Sequence, residues 1–401
     1  MGSKRQLAPQ IAEIIANLRN GPILDLFSGM CAVASKIGPS RQVWCNDIQH
    51  FSYLVAKQLF TSSCLSPEFS KLEESALFFY LNNMRRLKRR FQEKLNIENN
   101  LIEVKDFQGI REFYELLPYV NKSRYYYNER IKLNNIPKAF PYRLFSITFA
   151  GGYFGLSQCV QIDSIRYSCD QLLESQIITL QEFNWLLLAL CVAIGKSATN
   201  TGHFAQFLKI NNNNYKEYLA KRNTSMWNEW LRAIKGLSPV GNSNWRINNK
   251  VFRDNALHLL RKLYFSKELP GIIYADPPYT ADQYSRYYHL YETLIKYDYP
   301  VATGAGRYRS DRFTSTFSLK SKVYKSLQEM IRASSSLGSY LVISYPQNGL
   351  LDDSKSVIMA LLKQYYNRAE VVKLIPFRHS SLGASKGIEK YNVSEMIYLA
   401  R

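Results

Sequence analysis

Residues 22–60 read PILDLFSGMCAVASKIGPSRQVWCNDIQHFSYLVAKQLF, and the alternation inside this stretch decides the architecture. ILDLFSG is a short apolar run entering a Ser-Gly turn, and CAVASKIG has helical spacing. QVWCNDIQ is a second apolar run that ends in acid, and FSYLVAKQLF is a second helix. A βαβα start implies a parallel sheet, because a crossover helix is what returns the chain to begin a neighbouring strand in the same direction. Ligands of such sheets lie off the carboxyl ends of the strands, where Asp25 and Asp47 fall.

Outward from this segment the alternation first disappears and then returns. A helix is expected over Ile11–Leu18, ahead of the Gly-Pro break. From about residue 60 to 245 long polar-aromatic helical stretches take over, among them SALFFYLNNMRRLKRRFQEKL and NWLLLALCVAIG. Residues 270–300 restore a strand-turn-helix, followed by a helix in SLKSKVYKSLQEMIRASSSLG, a core strand in YLVISYP and a closing hairpin at the end. The expected fold is α/β: a Rossmann-like sheet in residues 1–60 and 246–401, split in sequence by a largely helical insertion at 61–245.

GIIYADPPYTADQY, residues 271–284, delivers unusual chemistry to one strand end. Ile272 to Ala275 has the β-branched character of a buried strand, and Pro277 and Pro278 forbid its continuation. Proline has no N–H, so the turn offers acceptors, the Asp276 carboxylate and the Pro277 carbonyl, beside the aromatic plate of Tyr279. That set suits an amino group. The exocyclic amine of adenine is a poor nucleophile because its lone pair is delocalised. Two acceptors bonding both its hydrogens would turn the lone pair toward an electrophile, so positioning and charge stabilisation are sufficient chemistry. A base within a duplex has to be extruded to reach such a turn, and then stacked, a role for Tyr279.

The turn after the first strand points to the cofactor. After Gly29 come Met30, Cys31, Ala32, Val33 and Ala34, so the GxGxxG spacing fails and docking of a pyrophosphate is unsupported. GKS at 195–197 is no phosphate loop either, because position 190 is Leu. Ser28 and Gly29 are small enough for a ligand to approach the backbone, and Asp47 is placed to accept from ribose hydroxyls. S-adenosylmethionine, with ribose, adenine and a sulfonium but no phosphate, fits these features. Asp254, in VFRDNALHLL, offers a carboxylate to its adenine amine from a neighbouring turn, with Asn255 next to it.

Lys and Arg number 52 against 32 Asp and Glu, a net charge of +20 that attracts a polyanion. Hydrophobic content of 46%, with 14% aromatics, belongs to a folded chain. Six cysteines without a CxxC pair or clustering with the five histidines read as reduced packed thiols, with no metal site. The N-terminal segment lacks a signal peptide's apolar centre, and no apolar run suffices to span a bilayer, so a cytoplasmic, nucleoid-associated prokaryotic protein is expected. Double-stranded DNA is the expected partner. Arg85, Arg86, Arg89 and Arg90 form a basic stripe at helical spacing, and GAGRYRSDRF supplies Arg307 and Arg309 in a loop expected to close on DNA backbone. His203 and Gln206 in GHFAQ are candidates for groove or orphan-base contacts, and His379 and Ser380 in the last hairpin for bordering the target base.

GSKRQLAPQI, DLFSG, Asn46-Asp47, DPPY and YLVISYP occur in the order typical of Dam-type, alpha-group DNA adenine-N6 methyltransferases, which the chain resembles. DPPYTADQYSRYYHLYETL is similar more closely to the FokI-methylase-like restriction-modification enzymes. The resemblance covers residues 1–60 and 250–401 well and the middle through QCVQIDSIRYS and GHFAQ. It implies an S-adenosylmethionine-dependent sheet whose insertion recognises the DNA target, and a cognate restriction endonuclease as a partner. It further implies cofactor contacts at Lys4, Asp25, Phe27, Ser28, Gly29, Asp47, Ile48, Asp254 and Asn255, and a catalytic turn at Asp276, Pro277, Pro278 and Tyr279. Met30 and Cys31 depart from the second glycine that many members carry. Other readings of the same residues are cytosine-N4 methylation, whose turn more often begins with serine, methylation of RNA adenine, and a DNA-binding subunit without activity. An intact DPPY turn argues against the last.

Overall fold

The structure, a computed structural model, describes residues 4–63, 70, 72–117, 123–379 and 391–401, with side chains described except at 376–379 and 391–393. Nine strands are assigned among them: β1 (Ile23–Asp25), β2 (Val43–Asn46), β3 (Lys250–Phe252), β4 (Ile272–Ala275), β5 (Ala302–Thr303), β6 (Tyr308–Arg309), β7 (Tyr340–Pro346), β8 (Ala369–His379) and β9 (Tyr391–Ala400). The chain divides into two units, one of residues 1–63, 239–285 and 313–401, the other of 64–238 and 286–312.

The first unit holds a seven-stranded sheet in the order β3-β2-β1-β4-β7-β9-β8. β3 through β7 in that order are mutually parallel, while β9 runs antiparallel to both β7 and β8. β1, β2 and β4 are buried at every residue, as expected of strands covered on both faces. The chain leaves β1 toward β2 and β3 on one side, and β4 leads to β7 on the other. The topological switch point therefore lies between β1 and β4.

Two helices shape the ends of this sheet. Ala32–Ile37 and His50–Phe60 follow β1 and β2, so the alternation read from the sequence is present. The first helix is longer than expected, Lys4–Ala16 with Pro9 inside it. Leu7, Ala8, Ile11 and Ile15 bury one helical face, which outweighs the local preference for a break at proline.

The second unit is helical, including Glu73–Glu103, Leu156–Glu174 and Leu180–Ser197, with β5 and β6 as a small antiparallel ribbon. Its membership differs from the expected bounds in three stretches. Residues 286–312 belong to it rather than to the sheet-bearing unit, and 61–63 and 239–245 belong to the sheet-bearing unit. Short polar turns on either side of a helix carry no sequence signal for which unit will bury them. Among the described residues no helix is long and apolar enough to cross a membrane, and no group of His, Cys, Asp and Glu is arranged to hold a metal.

Candidate active site

Strand register brings the three carboxylates together. Asp25 is paired with Tyr274 on one side and with Cys45 on the other, so Asp276 and Asp47 each lie two residues beyond that level, just past the ends of the adjoining strands. Parallel strands sit about 4.8 Å apart, and all three acids emerge at the same edge, across the switch point. Backbone bonds close the turns over them: Leu26 N–H donates to Tyr274 O at 2.9 Å, and Ser28 N–H to Asn46 O at 2.9 Å.

Asn46 is the buried tie between these turns. Its amide donates to the carbonyls of Leu26 and Asp254, each at 3.1 Å, and its Oδ1 accepts from Asp254 N–H at 3.1 Å. One side chain thus joins the loops after β1, β2 and β3. The Asp47 carboxylate accepts from Gly29 N–H at 3.0 Å and from Gln49 N–H at 2.9 Å. Gly29 adopts φ +48, a left-handed conformation that glycine tolerates, which is how the turn presents its N–H to Asp47.

Electrostatically the three acids are strained. Burial, then the neighbouring charges of Asp276 and Asp47, pushes the Asp25 carboxyl up to about 8, and its Oδ1 has no hydrogen-bond partner among the described residues. Burial lifts Asp47 to about 6 despite its backbone donors. Asp276 is also raised by burial, against the pull of Lys4 and with added repulsion from Glu395. The Lys4 ammonium stands 2.9 Å from Asp276 Oδ1 and also bonds Glu395 and Ser344. Carboxylates gathered and under-solvated in this way favour a cation or an N–H donor between them.

Around them the remaining expected residues divide. Pro277 is buried, and Tyr279 is buried with its ring edge-on to Tyr345 at 6.3 Å. Phe27 packs edge-on to Phe317 at 5.3 Å, and Ile48 is exposed beside Asp47. Asp254, expected at the cofactor's adenine amine, has local partners. Its carboxylate is engaged by Lys262 at 2.7 Å and His258 at 2.8 Å, which hold it below the usual carboxylate range against the cost of burial, and its tie to the site is through backbone. Asn255 caps the helix Ala256–Leu263. Lys4, also expected at the cofactor, bonds Asp276 and Glu395.

A sheet of this order with Asp25, Asp47 and an Asp-Pro-Pro-Tyr turn at its switch point has a match among known families. Residues 1–230 and 242–347 match the D12 class N6 adenine-specific DNA methyltransferases. The chain belongs to this family. It is 24% identical over 410 residues to modification methylase StsI of Streptococcus sanguinis, covering 100% of this chain and 51% of that protein. Identity is 26% over 371 residues with type II methyltransferase M.FokI of Planomicrobium okeanokoites, covering 91% and 46%. With modification methylase LlaI of Lactococcus lactis subsp. lactis it is 26% over 209 residues, covering 52% and 30%. The chain spans about half the length of the first two relatives.

In this D12 family member the residues expected to meet DNA are placed unequally. Arg85, Arg86 and Arg89 are exposed on the helix Glu73–Glu103, whose Met84, Leu87 and Phe91 are buried. Arg90 is committed to a bidentate pair with Glu129, at 2.8 and 2.7 Å. Gln206 is exposed, whereas His203 is buried at 3% exposure, accepts from Ala205 N–H and packs on Tyr287. Arg307 and Arg309 correct the expectation of a DNA-closing loop. Arg307 donates to the carbonyls of Thr148 and Ala150 at 2.7 and 2.9 Å, and Arg309 is clamped by Asp298 and Asp311. Both are buried and spend their guanidinium donors inside the unit, so phosphates have no access to them. The His379 side chain and Ser380 lie outside the described residues. Ser344 and Glu395 are site residues that sequence reasoning did not single out, and Asn46 entered it only as part of the Asn46-Asp47 motif. The available signal was a lone acid inside the apolar strand segment VSEMIYLA.

Proposed function

We propose that this chain methylates the exocyclic amine of an adenine extruded from double-stranded DNA, using S-adenosylmethionine, within a restriction-modification system. The single observation behind this is the gathering of Asp25, Asp47 and the Asp276-Pro277-Pro278-Tyr279 turn at the carboxyl ends of three adjacent strands.

The residues present fit the cofactor. Asp25, buried and with an orphaned oxygen, calls for a cation or donor, and a Cβ at Gly29 would meet only the Phe27 carbonyl, at 4.0 Å, so the turn is open to close approach. Asp25, Phe27, Ser28, Gly29, Asp47 and Ile48 would hold it. When bound, S-adenosylmethionine supplies an electrophilic methyl group on a sulfonium.

The chain's own residues do the rest. Asp276 and the Pro277 carbonyl accept the two amine hydrogens, Tyr279 stacks the base, and the lone pair is left directed away from both acceptors. The methylated nitrogen has one proton to lose. Asp276, raised toward neutrality by burial, is suited to take it and pass it to solvent. Reading of the DNA target is assigned to the second unit, with Arg85, Arg86, Arg89 and Gln206 as contacts. The relatives' names as modification methylases support a partner nuclease.

Expression in cells free of adenine methylation, followed by single-molecule sequencing of their DNA, tests this. N6-methyladenine at one recurrent motif is expected. Modified cytosines with every adenine untouched would overturn it.

A further inference from the structure

Glu395 is a carboxylate in the wrong company. It lies on β9, opposite Pro346 of β7, with Met396 and Ile397 buried after it, and it is itself 2% exposed. Burying an acid costs stability unless its partners are well arranged, and an apolar residue of similar size would usually serve the core as well. Its partners are specific. Oε1 accepts from both the Lys4 ammonium and the Ser344 hydroxyl, and the same ammonium reaches Asp276 Oδ1 at 2.9 Å.

The chain is therefore Ser344–Glu395–Lys4–Asp276, drawn from β7, β9, the first helix and the turn after β4. Lys4 has more than one staggered place to put a flexible four-carbon stem, and the buried acid selects one. We propose that Glu395 is a positioning residue for Asp276, acting through Lys4: it anchors the ammonium beside the Asp276 carboxylate and shares its charge, which sets how strongly that carboxylate accepts the substrate amine.

The inference rests on the reading of Asp276 as the amine acceptor. Among the described residues, the charged and titratable groups facing Asp276 are Lys4 from the first helix, Glu395 from β9, Asp25 from β1, and Tyr274 and Tyr279 from its own strand and turn. Lys4 lowers the proton affinity of Asp276 and Glu395 raises it. Removing the two has opposite consequences. Glu395→Gln leaves the ammonium wholly to Asp276, making it a weaker acceptor. Lys4→Met removes the ammonium from Asp276 and leaves the Glu395 carboxyl in place.

The experiment is single-turnover methyl transfer from S-adenosylmethionine to unmethylated genomic DNA across pH, on the full chain, beside its thermal melting curve. In Glu395→Gln the acid limb of the rate profile is expected to move to lower pH by about half a unit or more, with a reduced plateau. In Lys4→Met it is expected to move to higher pH, and Lys4→Arg to restore much of the original position. A purely structural tie lowers melting temperature and rate together and leaves both limbs where they are, and that result would overturn the proposal. Should Glu395→Gln fail to fold, the upward movement in Lys4→Met, or its absence, decides. Asp276→Ala is the separate control: full activity in that variant defeats the acceptor reading itself, whereas an inactive Asp276→Ala with unmoved limbs in the other variants defeats this inference alone.

Discussion

Buried carboxylates occur in both units, and they are treated differently. In the helical unit Asp163 accepts from Phe145 N–H, Ser146 N–H, Ser146 Oγ and Tyr297 OH, all at 2.6 to 2.8 Å. Glu98 likewise accepts from Leu156 and Ser157 N–H at 2.7 Å, at the start of the helix Leu156–Glu174. These acids hold backbone together. At the strand ends of the other unit, Asp25 is equally buried yet keeps an oxygen without a partner among the described residues, and Asp276 shares the Lys4 ammonium with Glu395. Burial alone does not mark a site. Burial with unspent hydrogen-bonding capacity does, because that capacity is what a ligand would satisfy.

The contrast is breakable at its strongest point first. Asp276→Ala should reduce methyl transfer by roughly 10³-fold or more while DNA affinity stays within about tenfold. Single-turnover assays and fluorescence anisotropy measure the two, and parallel losses would put Asp276 among structural acids. Asp163→Ala should do the reverse. It strands two backbone donors and two hydroxyls, costing about 3 kcal/mol or more of stability by chemical denaturation, with DNA methylation retained by the folded fraction.

A smaller effect separates surface from buried arginines. Replacing Arg85, Arg86 and Arg89 by Ala should weaken DNA binding and reduce the salt slope by about 1 for each phosphate that is no longer neutralised. Arg309→Ala should leave that slope alone and lower the melting temperature, since its donors serve Asp298 and Asp311. An altered slope in Arg309→Ala would return that loop to the DNA.

The smallest effect lies in Asp25. Its carboxyl is near 8 in the folded chain, above its unfolded value, so the contribution of its neutral form is complete below about pH 4 and is lost as pH rises toward 8. Without added cofactor, Asp25→Asn should therefore melt a few degrees above the parent protein at pH 8, with the gap closing toward pH 4, while binding S-adenosylmethionine more weakly. Calorimetry checks both. Equal melting at all pH values would mean that the Asp25 carboxyl is not held up by burial in the folded chain.

Much of the sheet was legible because its signals are local. β1, β2, β4 and β7 are short apolar runs closed by Gly, Pro or acid, and such punctuation survives in a single sequence. β3 was not read as a strand, since Lys250-Val251-Phe252 is short and only partly buried, and its place beside β2 is decided by pairing. The arginines show the same limit. Arg86 and Arg309 look alike in a sequence, and only the presence of Asp298 and Asp311 around the second makes it structural.

From residue order alone came the acids, the proline turn and the strand ends that carry them, because strand period and turn chemistry act over a few neighbouring residues. Which charges are satisfied and which stand open was settled by folding. Lys4 meets Glu395 across 391 positions and Asn46 meets Asp254 across 208, and no local pattern encodes a contact that exists only when distant strands are brought side by side.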